Sequence, residues 1–393
     1  MTATIVDRIR DGWPDPVDEV VEAAEELLKR RTGAAVRLVD ATNLGGGGES
    51  VVLRVRVAEN PFSLPRTLVL KQVLGGVRRP ADGRIDEAFR REAVSYQFCN
   101  ALSASHRPGP ELVAYDLDAR LLVLSDLGDA PAMGELLARR DSAEVTHSLM
   151  ALAQALGRMH SNTYGREEDY AALLHRTPGV DEAHPLTEQA AQAVAELPSM
   201  LRDLLAIEVP EEVRATAASG RELFGGGRFR AFSTADLCPD NILVNEGGVK
   251  FLDYEWGGFR DATLDISYAL TAFPTCLCAL ELSREQAEEM VEAWRAEVVA
   301  VFPQLRDDSV LYSRLLAAML VWLWLSTWLF LDEAGADVHV DEDAESRLRQ
   351  HELAVGRRVA LRRRWSILAA FAENLGDDAV GRHARVVLAA LEE

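Results

Sequence analysis

The chain has 393 residues, of which 48% are hydrophobic and 27% charged, and its formal net charge is −21. The low hydrophobicity of a disordered chain and the periodic glycine of collagen are both missing. The length predicts two lobes, because a single core stops growing near about 250–300 residues. The excess of 63 acidic over 42 basic residues disfavours nucleic acid and anionic membrane surfaces as partners, since such a chain repels phosphate groups.

The first third of the chain predicts a small antiparallel sheet with one internal helix. Residues 14–31 carry apolar side chains at helical spacing, and Gly33 follows them. Short runs rich in β-branched residues then predict five strands, over 34–44, 50–60, 66–74, 111–117 and 120–127. An amphipathic helix is predicted over 85–102, between the third and the fourth strand.

From Met133 onwards the pattern is mainly helical, with strands and loops returning between Phe229 and Asp261. We predict helices over 142–161, 181–205, 209–224, 283–301, 308–332 and 342–374. The whole pattern predicts an α+β fold with two domains. Residues 1–127 would form a small N-lobe with an antiparallel sheet, and residues 128–393 a large, mainly helical C-lobe.

Residues 315–331 are apolar apart from Ser326 and Thr327, so they need to be weighed as a membrane span. A spanning helix needs about 20 apolar residues, which is slightly more than this segment offers. A buried helix in a large helical lobe has the same composition, and we predict burial because no second span accompanies the segment. A membrane-attached protein is the alternative.

The four cysteines are too few for a disulfide framework in a chain of this length. Cys276 and Cys278 are too close in sequence for a metal knuckle, while Cys99 and Cys238 stand alone. We therefore predict reduced thiols in a cytoplasmic protein, with no zinc site. The N-terminal residues show no apolar stretch behind a basic start, so they do not predict a signal peptide.

Four consecutive glycines, Gly45, Gly46, Gly47 and Gly48, lie between the first two predicted strands. A dinucleotide fingerprint or a P-loop would run from a strand into a helix, and here the chain continues into a strand. A glycine-rich hairpin that covers phosphates fits this context, because glycine lets backbone amides approach a ligand closely. A plain flexible hairpin is the alternative.

Lys71 lies in the middle of an apolar predicted strand, LVLKQV. A lysine that is partly buried there needs an anion or a carboxylate as a partner. Glu92, in the helix that follows, is the partner we predict. The alternative is that Lys71 lies on the solvated face of an edge strand.

The strongest chemical pattern combines Asp236, Asn241 and Asp253 around two apolar strands joined by a short turn. A carboxylate at a loop can orient and deprotonate an incoming hydroxyl group. An amide oxygen together with a second carboxylate offers the hard ligands that Mg²⁺ accepts beside nucleotide phosphates. The alternative is a polar turn with a solvated aspartate.

These features, taken in order, resemble the protein-kinase-like fold, and in detail the aminoglycoside phosphotransferase and choline kinase-like family. The segment STADLCPDNILV, residues 233–244, resembles the family pattern HGDLHPGNIL. The segment FLDYEWGGFRDATLDIS, residues 251–267, resembles its pattern IDFE…GDPxxDLA, and ALGRMHSNT, residues 155–163, resembles a helix that precedes the catalytic loop. The matches run over roughly residues 43–268, and the C-terminal helices match in character only.

The resemblance implies a kinase with Mg²⁺ as its cofactor and ATP or GTP as its co-substrate. Asp236 would be the catalytic base or orienting group for the acceptor hydroxyl. Asn241 and Asp253 would hold the metal ions that bridge the phosphates.

The same resemblance implies a nucleotide site. Lys71, steadied by Glu92, would contact the α- and β-phosphates, and the glycines from Gly45 to Gly48 would cover the triphosphate. Residues 120–128 would supply the interlobe hinge, where backbone groups near Ser125 to Leu127 would bond to adenine.

The chain departs from the family pattern immediately before the catalytic aspartate. Thr234 and Ala235 replace the family's His-Gly pair, and the threonine is expected to take over the hydrogen bonding of that histidine to the loop backbone. Asp261 and Asp265 are expected to be structural, anchoring the loop after the metal site, and His160 is expected to be a core or capping residue. These departures leave one alternative function, a nucleotide-binding pseudokinase or regulator without transfer activity.

We therefore predict a small-molecule O-phosphotransferase that acts on a hydroxyl group of a metabolite or antibiotic. Protein-kinase activity is disfavoured, because the segment from Asp253 to Asp265 is too short for a long activation loop. A cationic, aminoglycoside-like acceptor is suggested by a group of acidic residues, namely Glu167, Glu168, Asp169, Asp181 and Glu182. Neither a nucleic acid nor a membrane is predicted as a partner, and the oligomeric state does not follow from the sequence.

Overall fold

The structure is a computed structural model that describes residues 16–45, 50–59, 64–73, 83–139, 141–181, 183–278, 280–331 and 353–392. The chain divides into two compact units, one of residues 1–129 with 172–181, the other of residues 130–171 with 182–393. The first unit contains a small antiparallel sheet and the second is mainly helical, so the predicted bilobal α+β, protein-kinase-like fold class is confirmed.

The first unit is built on one five-stranded sheet. Its strands are β1 (Arg37–Gly45), β2 (Ser50–Glu59), β3 (Thr67–Val73), β4 (Leu112–Asp116) and β5 (Leu121–Ser125), in the spatial order β1-β2-β3-β5-β4. All neighbouring strands are antiparallel. Strand β2 shows why these segments form strands, because Leu53, Val55 and Val57 are buried while the alternating residues Arg54 and Arg56 are half-buried and exposed.

Two helices accompany this sheet, α1 (Pro16–Thr32) and α2 (Gly83–Asn100). Helix α1 repeats its buried residues Val20, Ala24 and Leu28 every four positions, which places them on one face. That face packs into the same core as the buried leucines and valines of β2, β3 and β5. The apolar period seen in the sequence is therefore the reason that α1 covers the sheet.

The second unit is mainly helical. Its helices are α3 (Met133–Leu137), α4 (Ser142–Thr163), the first half of α5 (Glu167–Arg176), α6 (Pro185–Leu205), α7 (Glu211–Gly225), α8 (Thr263–Leu270), α9 (Arg284–Val298), α10 (Asp308–Phe330), α11 (Arg357–Leu375) and α12 (Asp378–Ala390). Helix α10 packs against α6, α7, α8 and α11. It therefore lies at the centre of this helical unit.

Helix α10 contains the apolar segment that was weighed as a membrane span. Among the described residues it is the one helix that is long and apolar enough to cross a bilayer, and most of its apolar window is buried inside the protein. Trp322 and Trp324 are buried, and the Trp322 indole donates to the Leu264 carbonyl at 2.9 Å. These contacts support the prediction of a buried core helix.

Two short two-stranded sheets interrupt the helices, and the polar motifs lie at their ends. Strands β6 (Arg230–Ser233) and β9 (Gly258–Asp261) pair with each other, and so do β7 (Ile242–Asn245) and β8 (Gly248–Phe251). Both pairs are antiparallel. Every loop that bears a predicted catalytic or metal-binding residue begins or ends at one of these strands.

The helix predicted over 342–374 is wrong at its start. Residues 353–356 are not helical, and α11 begins at Arg357, while residues 342–352 lie outside the described part of the chain. The structure also contains helices α3, α5, α8 and α12, which were not predicted. The first three have 5, 10 and 8 residues, which is too short for a clear apolar repeat.

Candidate active site in the helical unit

The β7/β8 hairpin brings Asn241 and Asp253 to the same end. Ile242 pairs with Phe251 at the start of the ladder, and the Asn241 carbonyl accepts a hydrogen bond from the Leu252 amide at 2.8 Å. Asp253 follows directly, with a left-handed φ of 53°, which aspartate tolerates better than most residues. The hairpin thus places an amide side chain and a carboxylate at neighbouring positions of the backbone.

Asp236 lies in the loop between β6 and a short 3-10 helix, Pro239–Asn241. Ala235, before it, has a φ of 62°, and a hydrogen bond from the Asp236 amide to the Thr234 carbonyl, 2.8 Å long, closes a γ-turn around it. The Cys238 amide donates to Asp236 Oδ1 at 3.3 Å. The γ-turn therefore fixes the backbone before Asp236, and the Cys238 amide holds its carboxyl group.

The Asp236 carboxyl group holds its proton more tightly than an ordinary aspartate. Although part of the residue is accessible, protein atoms crowd the carboxyl group, and this burial is the main cause that raises its pKa to about 8. The charges of Cys238, Asp253 and Glu255 raise the pKa further. Asp236 and Asp253 are thus close enough to interact electrostatically.

A chain of hydrogen bonds supports the loop of Asp236 from behind. The Trp294 indole donates to His160 Nδ1 at 3.0 Å, which leaves His160 Nε2 to donate to Asp265 Oδ2 at 3.0 Å. The Ser233 hydroxyl donates to Asp265 Oδ1 at 2.7 Å and accepts from the Ala235 amide at 3.0 Å. Every side chain in this chain is buried, so the contacts act where water does not compete.

This network corrects the expectation for Thr234. Its buried hydroxyl has no hydrogen-bond partner among the described residues, so the threonine does not replace the family's histidine as a support. Ser233, one residue earlier, supports the loop backbone instead, because its hydroxyl accepts from the Ala235 amide. Asp265 is structural as expected, and His160 is a buried core residue that holds it.

Asp261 also has a structural place. It is buried, its Oδ1 accepts from the Thr263 hydroxyl at 2.6 Å, and its Oδ2 accepts from Arg314 at 2.9 Å. The Phe229 amide donates to the same Oδ2 at 3.4 Å. Asp261 therefore ties β9 to the start of β6 and to helix α10.

In the first unit, the predicted contact between Lys71 and Glu92 is present. Lys71 Nζ lies 2.8 Å from Glu92 Oε1, and the two side chains are 11% and 2% exposed. Lys71 lies in β3, between β2 and β5, so it is not on an edge strand. The ion pair holds the ammonium group at the middle of the sheet, and its role with a nucleotide stays a prediction.

The glycine segment is only partly described. Gly45 ends β1 with a φ of 101°, and its amide donates to the Asn43 side chain at 2.8 Å. Gly46, Gly47 and Gly48 lie outside the described residues, so nothing tests their predicted place over the phosphates. The two strands that flank them pair with each other, as the sequence predicts.

The predicted adenine-binding segment follows β5. The Ser125 amide donates to the Glu111 carbonyl at 2.8 Å, and the Ser125 hydroxyl accepts from the Glu111 amide at 2.9 Å. This engagement makes the Ser125 amide a poor donor for adenine, while the role of Leu127 stays a prediction. Arg54, a residue that sequence reasoning missed, forms ion pairs with Asp126 and Asp129 and so braces this segment.

The cysteines differ most from expectation. Cys238 does not stand alone, because its Sγ lies 2.7 Å from that of Cys276, and Cys278 joins the same group. The spacing of Cys276 and Cys278 hid this group, since the third member comes from a loop 38 residues earlier. All four cysteines are present as thiols.

The acidic residues that suggested a cationic acceptor are partly neutralised. Both carboxylate oxygens of Glu167 accept hydrogen bonds from Arg230, and Asp169 forms an ion pair with Arg166. Asp181 is grouped with the first unit, and Glu182 lies outside the described residues. Glu168 is exposed, and a cationic acceptor stays a prediction.

The chain was also compared with known proteins. The choline kinase of Cryptosporidium parvum is 13% identical, with 87% of this chain and 91% of that chain covered and a TM-score of 0.48. A choline/ethanolamine kinase family protein of Mesorhizobium loti is 15% identical, with 93% and 99% covered and a TM-score of 0.46. A thermostable mutant of an aminoglycoside phosphotransferase is 15% identical, with 88% and 99% covered and a TM-score of 0.43.

No curated protein matches the chain. The family model described as "Phosphotransferase enzyme family" matches residues 43–302. These residues include the glycine segment, Lys71 and Glu92, and the three polar residues Asp236, Asn241 and Asp253. This match extends over about two thirds of the sequence, and the chain belongs to the phosphotransferase enzyme family.

Proposed function

We propose that this protein is a cytoplasmic small-molecule O-phosphotransferase, which moves the γ-phosphate of ATP or GTP to a hydroxyl group with the help of Mg²⁺. The placement of Asp236, Asn241 and Asp253 around one end of the β7/β8 hairpin is the observation that carries the proposal. Membership of the phosphotransferase family supports the reaction class.

The residues fit a magnesium ion. Asn241 offers an amide oxygen and Asp253 a carboxylate, both of them hard oxygen ligands of the kind that Mg²⁺ binds beside phosphates. The negative charges of Asp253 and Glu255 raise the pKa of Asp236, and a divalent cation at Asn241 and Asp253 would offset that repulsion. When bound, the ion would neutralise charge that develops on the phosphates.

Asp236 would act on the acceptor. Its carboxylate would orient the acceptor hydroxyl and take up the proton as the acceptor oxygen bonds to the γ-phosphorus and the bond to the β-phosphate oxygen breaks. The γ-turn at Ala235 and the Ser233–Asp265 contact hold the loop in place for this step. Lys71, kept in position by Glu92, would bind the nucleotide phosphates.

The acceptor is proposed as a small molecule, either a metabolite or an antibiotic. The ion pairs of Glu167 and Asp169 weaken the charge argument for a cationic one, while Glu168 and Asp181 are exposed. An acceptor screen should therefore include neutral alcohols, sugars and nucleosides beside choline, ethanolamine and aminoglycosides.

Titration calorimetry of the full chain with Mg·ATP and Mg·GTP is the first test. We expect one nucleotide to bind, and its affinity to fall sharply for Asp253→Ala or when Mg²⁺ is withheld. Glu246→Gln, an exposed change in the turn of the same hairpin, is the matched control and should bind like the wild type. Binding that is indifferent to both Asp253 and Mg²⁺ would favour the alternative, a nucleotide-binding regulator.

The second test is turnover with an acceptor found in the screen. Asp236→Asn should lower the turnover number by about 10²–10⁴-fold, because a general base contributes that much, while nucleotide affinity stays unchanged. Turnover of Asp236→Asn within a few-fold of the wild type would contradict the assigned role of this residue.

A further inference from the structure

Three cysteines meet beside the catalytic loop. The proposed phosphoryl transfer gives them no role. The Sγ atoms of Cys238, Cys276 and Cys278 lie within 4.8 Å of one another, and the first two are 2.7 Å apart. Cys276 and Cys278 are buried, and Cys238 is half-buried. Three converging sulfur donors are the kind of ligand set that proteins offer to thiophilic metal ions.

The backbone after α8 is shaped so that it delivers two of these cysteines. Ala272 and Phe273 both adopt left-handed conformations, with φ of 54° and 56°, which residues other than glycine rarely adopt. Cys278 forms an isolated β-bridge with Ala354, just before helix α11. The constrained turn and the bridge together hold residues 276–278 next to the loop of Cys238, and such constraint is commonly kept at functional sites.

A buried arginine organises the same turn. The Arg364 guanidinium donates to the carbonyls of Phe273 at 2.9 Å and Pro274 at 3.1 Å, to the Cys276 carbonyl, and to the Ser326 hydroxyl at 2.7 Å. All of these acceptors are neutral, and in the described part of the chain no carboxylate pairs with Arg364. A buried cation without an anion is costly, so the adjacent thiols are the groups that can supply the missing negative charge.

The charges favour a divalent ion. Three thiolates and one divalent cation carry a formal charge of −1, which the +1 of Arg364 cancels, whereas a monovalent cation would leave an excess of −1.

We propose that Cys238, Cys276 and Cys278 form a three-thiolate site for one divalent thiophilic cation, with Zn²⁺ as the fitting ion. Zinc–sulfur bonds of about 2.3 Å set thiolate sulfurs roughly 3.7–4.0 Å apart. The 2.7 Å separation of the Cys238 and Cys276 sulfurs therefore has to open by about 1 Å when the ion binds. The fourth position of the ion would be taken by water.

The site is coupled to the catalytic loop through the backbone of Cys238. Its amide donates to Asp236 Oδ1 at 3.3 Å, and its carbonyl accepts from the Asn241 amide at 2.8 Å. An ion bound to the Cys238 sulfur would fix the segment that carries both residues. The bound ion positions this loop and is separate from the Mg²⁺ proposed at Asn241 and Asp253.

The test uses the full chain, reduced with a phosphine, stripped of metal with a chelator and then titrated with Zn²⁺ or Co²⁺ in the absence of nucleotide. We expect one equivalent of Zn²⁺ per chain and a sulfur-to-cobalt charge-transfer band with Co²⁺. Cys276→Ser and Cys238→Ser should each weaken Zn²⁺ binding by more than about 100-fold, since even the loss of an outer-shell contact costs about 10–100-fold. Cys99→Ser, at a buried cysteine outside the cluster, is the matched control and should bind like the wild type.

Two variants keep the test decisive, because Cys238 is half-buried in a loop, so Cys238→Ser should fold even if Cys276→Ser, at a buried position, does not. Circular dichroism of each variant identifies any that fails to fold. Absence of the charge-transfer band in the wild type, or a full-strength band in folded Cys238→Ser, would overturn the proposal. So would a protein that takes up no metal when reduced and forms a disulfide between Cys238 and Cys276 on mild oxidation. The metal titration does not measure kinase activity, so a protein without kinase activity could still confirm or overturn the thiolate site.

Discussion

At the level of single residues, Asp236 combines a tightly held proton with a constrained backbone. Its neighbour Ala235 has a φ of 62°, and Asp253 has a φ of 53°. Residues in such conformations persist only where the surrounding structure holds them, and here Ser233 and Cys238 supply the contacts. The same crowding that fixes the Asp236 carboxyl group raises its pKa, so its position and its acidity have one cause.

The raised pKa of Asp236 predicts a dependence of stability on pH. In the unfolded chain this carboxyl group ionises near about 4, whereas in the folded protein its pKa is about 8. The folded state therefore holds an extra proton between these values, and the free energy of unfolding falls as the pH rises through this window. Below about pH 4 the residue makes no difference, and above about pH 8 its penalty is complete.

Asp236→Asn should therefore stabilise the protein at pH 8–9, measured in EDTA, and have no effect near pH 4. Thermal unfolding across this pH range measures the difference between the two midpoints. The exposed change Glu246→Gln should track the wild type at every pH. A difference between Asp236→Asn and the wild type that is independent of pH would contradict the assigned pKa.

The left-handed φ of Ala235 predicts that glycine is tolerated there. A left-handed conformation costs a residue with a Cβ about 1–2 kcal/mol, and the greater freedom of unfolded glycine takes back about 0.4–1 kcal/mol. Ala235→Gly should keep the free energy of unfolding or raise it by up to about 1.6 kcal/mol. Ala153→Gly, at a fully buried position of helix α4, should lower it by about 1 kcal/mol. Urea titrations measure the free energy of unfolding of both variants. If Ala235→Gly lowered it as much as Ala153→Gly does, Ala235 would not be strained.

At the level of elements, the helical unit depends on close helix contacts that only small residues permit. Gly220 in α7 packs on Ala317 and Val321 in α10, and Gly157 in α4 packs on Trp294 in α9. Helices approach to this distance when a glycine leaves room for the backbone of its partner. The α4–α9 contact also carries the hydrogen bond from Trp294 to His160, so the position of the Asp236 loop depends on it.

Two buried helical glycines allow a matched comparison. A Cβ at Gly220 would collide with the Ala317 carbonyl oxygen and lie 2.9 Å from Val321 Cβ, so Gly220→Ala should lower the free energy of unfolding by about 1–3 kcal/mol. A Cβ at Gly381 in α12 meets its nearest atoms at 3.7 Å, so Gly381→Ala should raise it by up to about 1 kcal/mol. Guanidinium unfolding curves measure both, and a stabilising Gly220→Ala would contradict the tight α7–α10 contact.

At the level of the whole molecule, the chain carries a formal charge of −21. Even if every basic residue were paired with an acidic one, 21 acidic charges would remain, since 63 minus 42 is 21. Exposed ion pairs contribute little, so the repulsion among the remaining charges decides how the folded state responds to salt.

Added salt should therefore stabilise the protein. Raising NaCl from about 10 to 300 mM shortens the screening length from roughly 30 Å to well below 10 Å, and the midpoint of thermal unfolding should rise. Tetramethylammonium chloride at the same ionic strength should act alike, because screening does not depend on the identity of the cation. A midpoint that falls with both salts would mean that ion pairs outweigh the net repulsion.

The sequence by itself determined the strands of the first sheet, most of the long helices, the burial of α10 and the contact of Lys71 with Glu92, because each depends on a local period or on a motif with known order. Alternation of valine and arginine in β2 and the four-residue repeat of α1 are visible in any short window. The β7/β8 hairpin is equally local, so the nearness of Asn241 and Asp253 could be predicted.

Only the tertiary structure decided which distant residues support the site. The partners of Asp265 come from helix α4 and from β6, and Cys238 meets two cysteines that are delivered by a left-handed turn at Ala272 and Phe273. Arg364 holds that turn from a position about 90 residues later in the chain. No short window of sequence carries such contacts, because they depend on how the helices pack, and packing is a property of side chains brought together from separate elements.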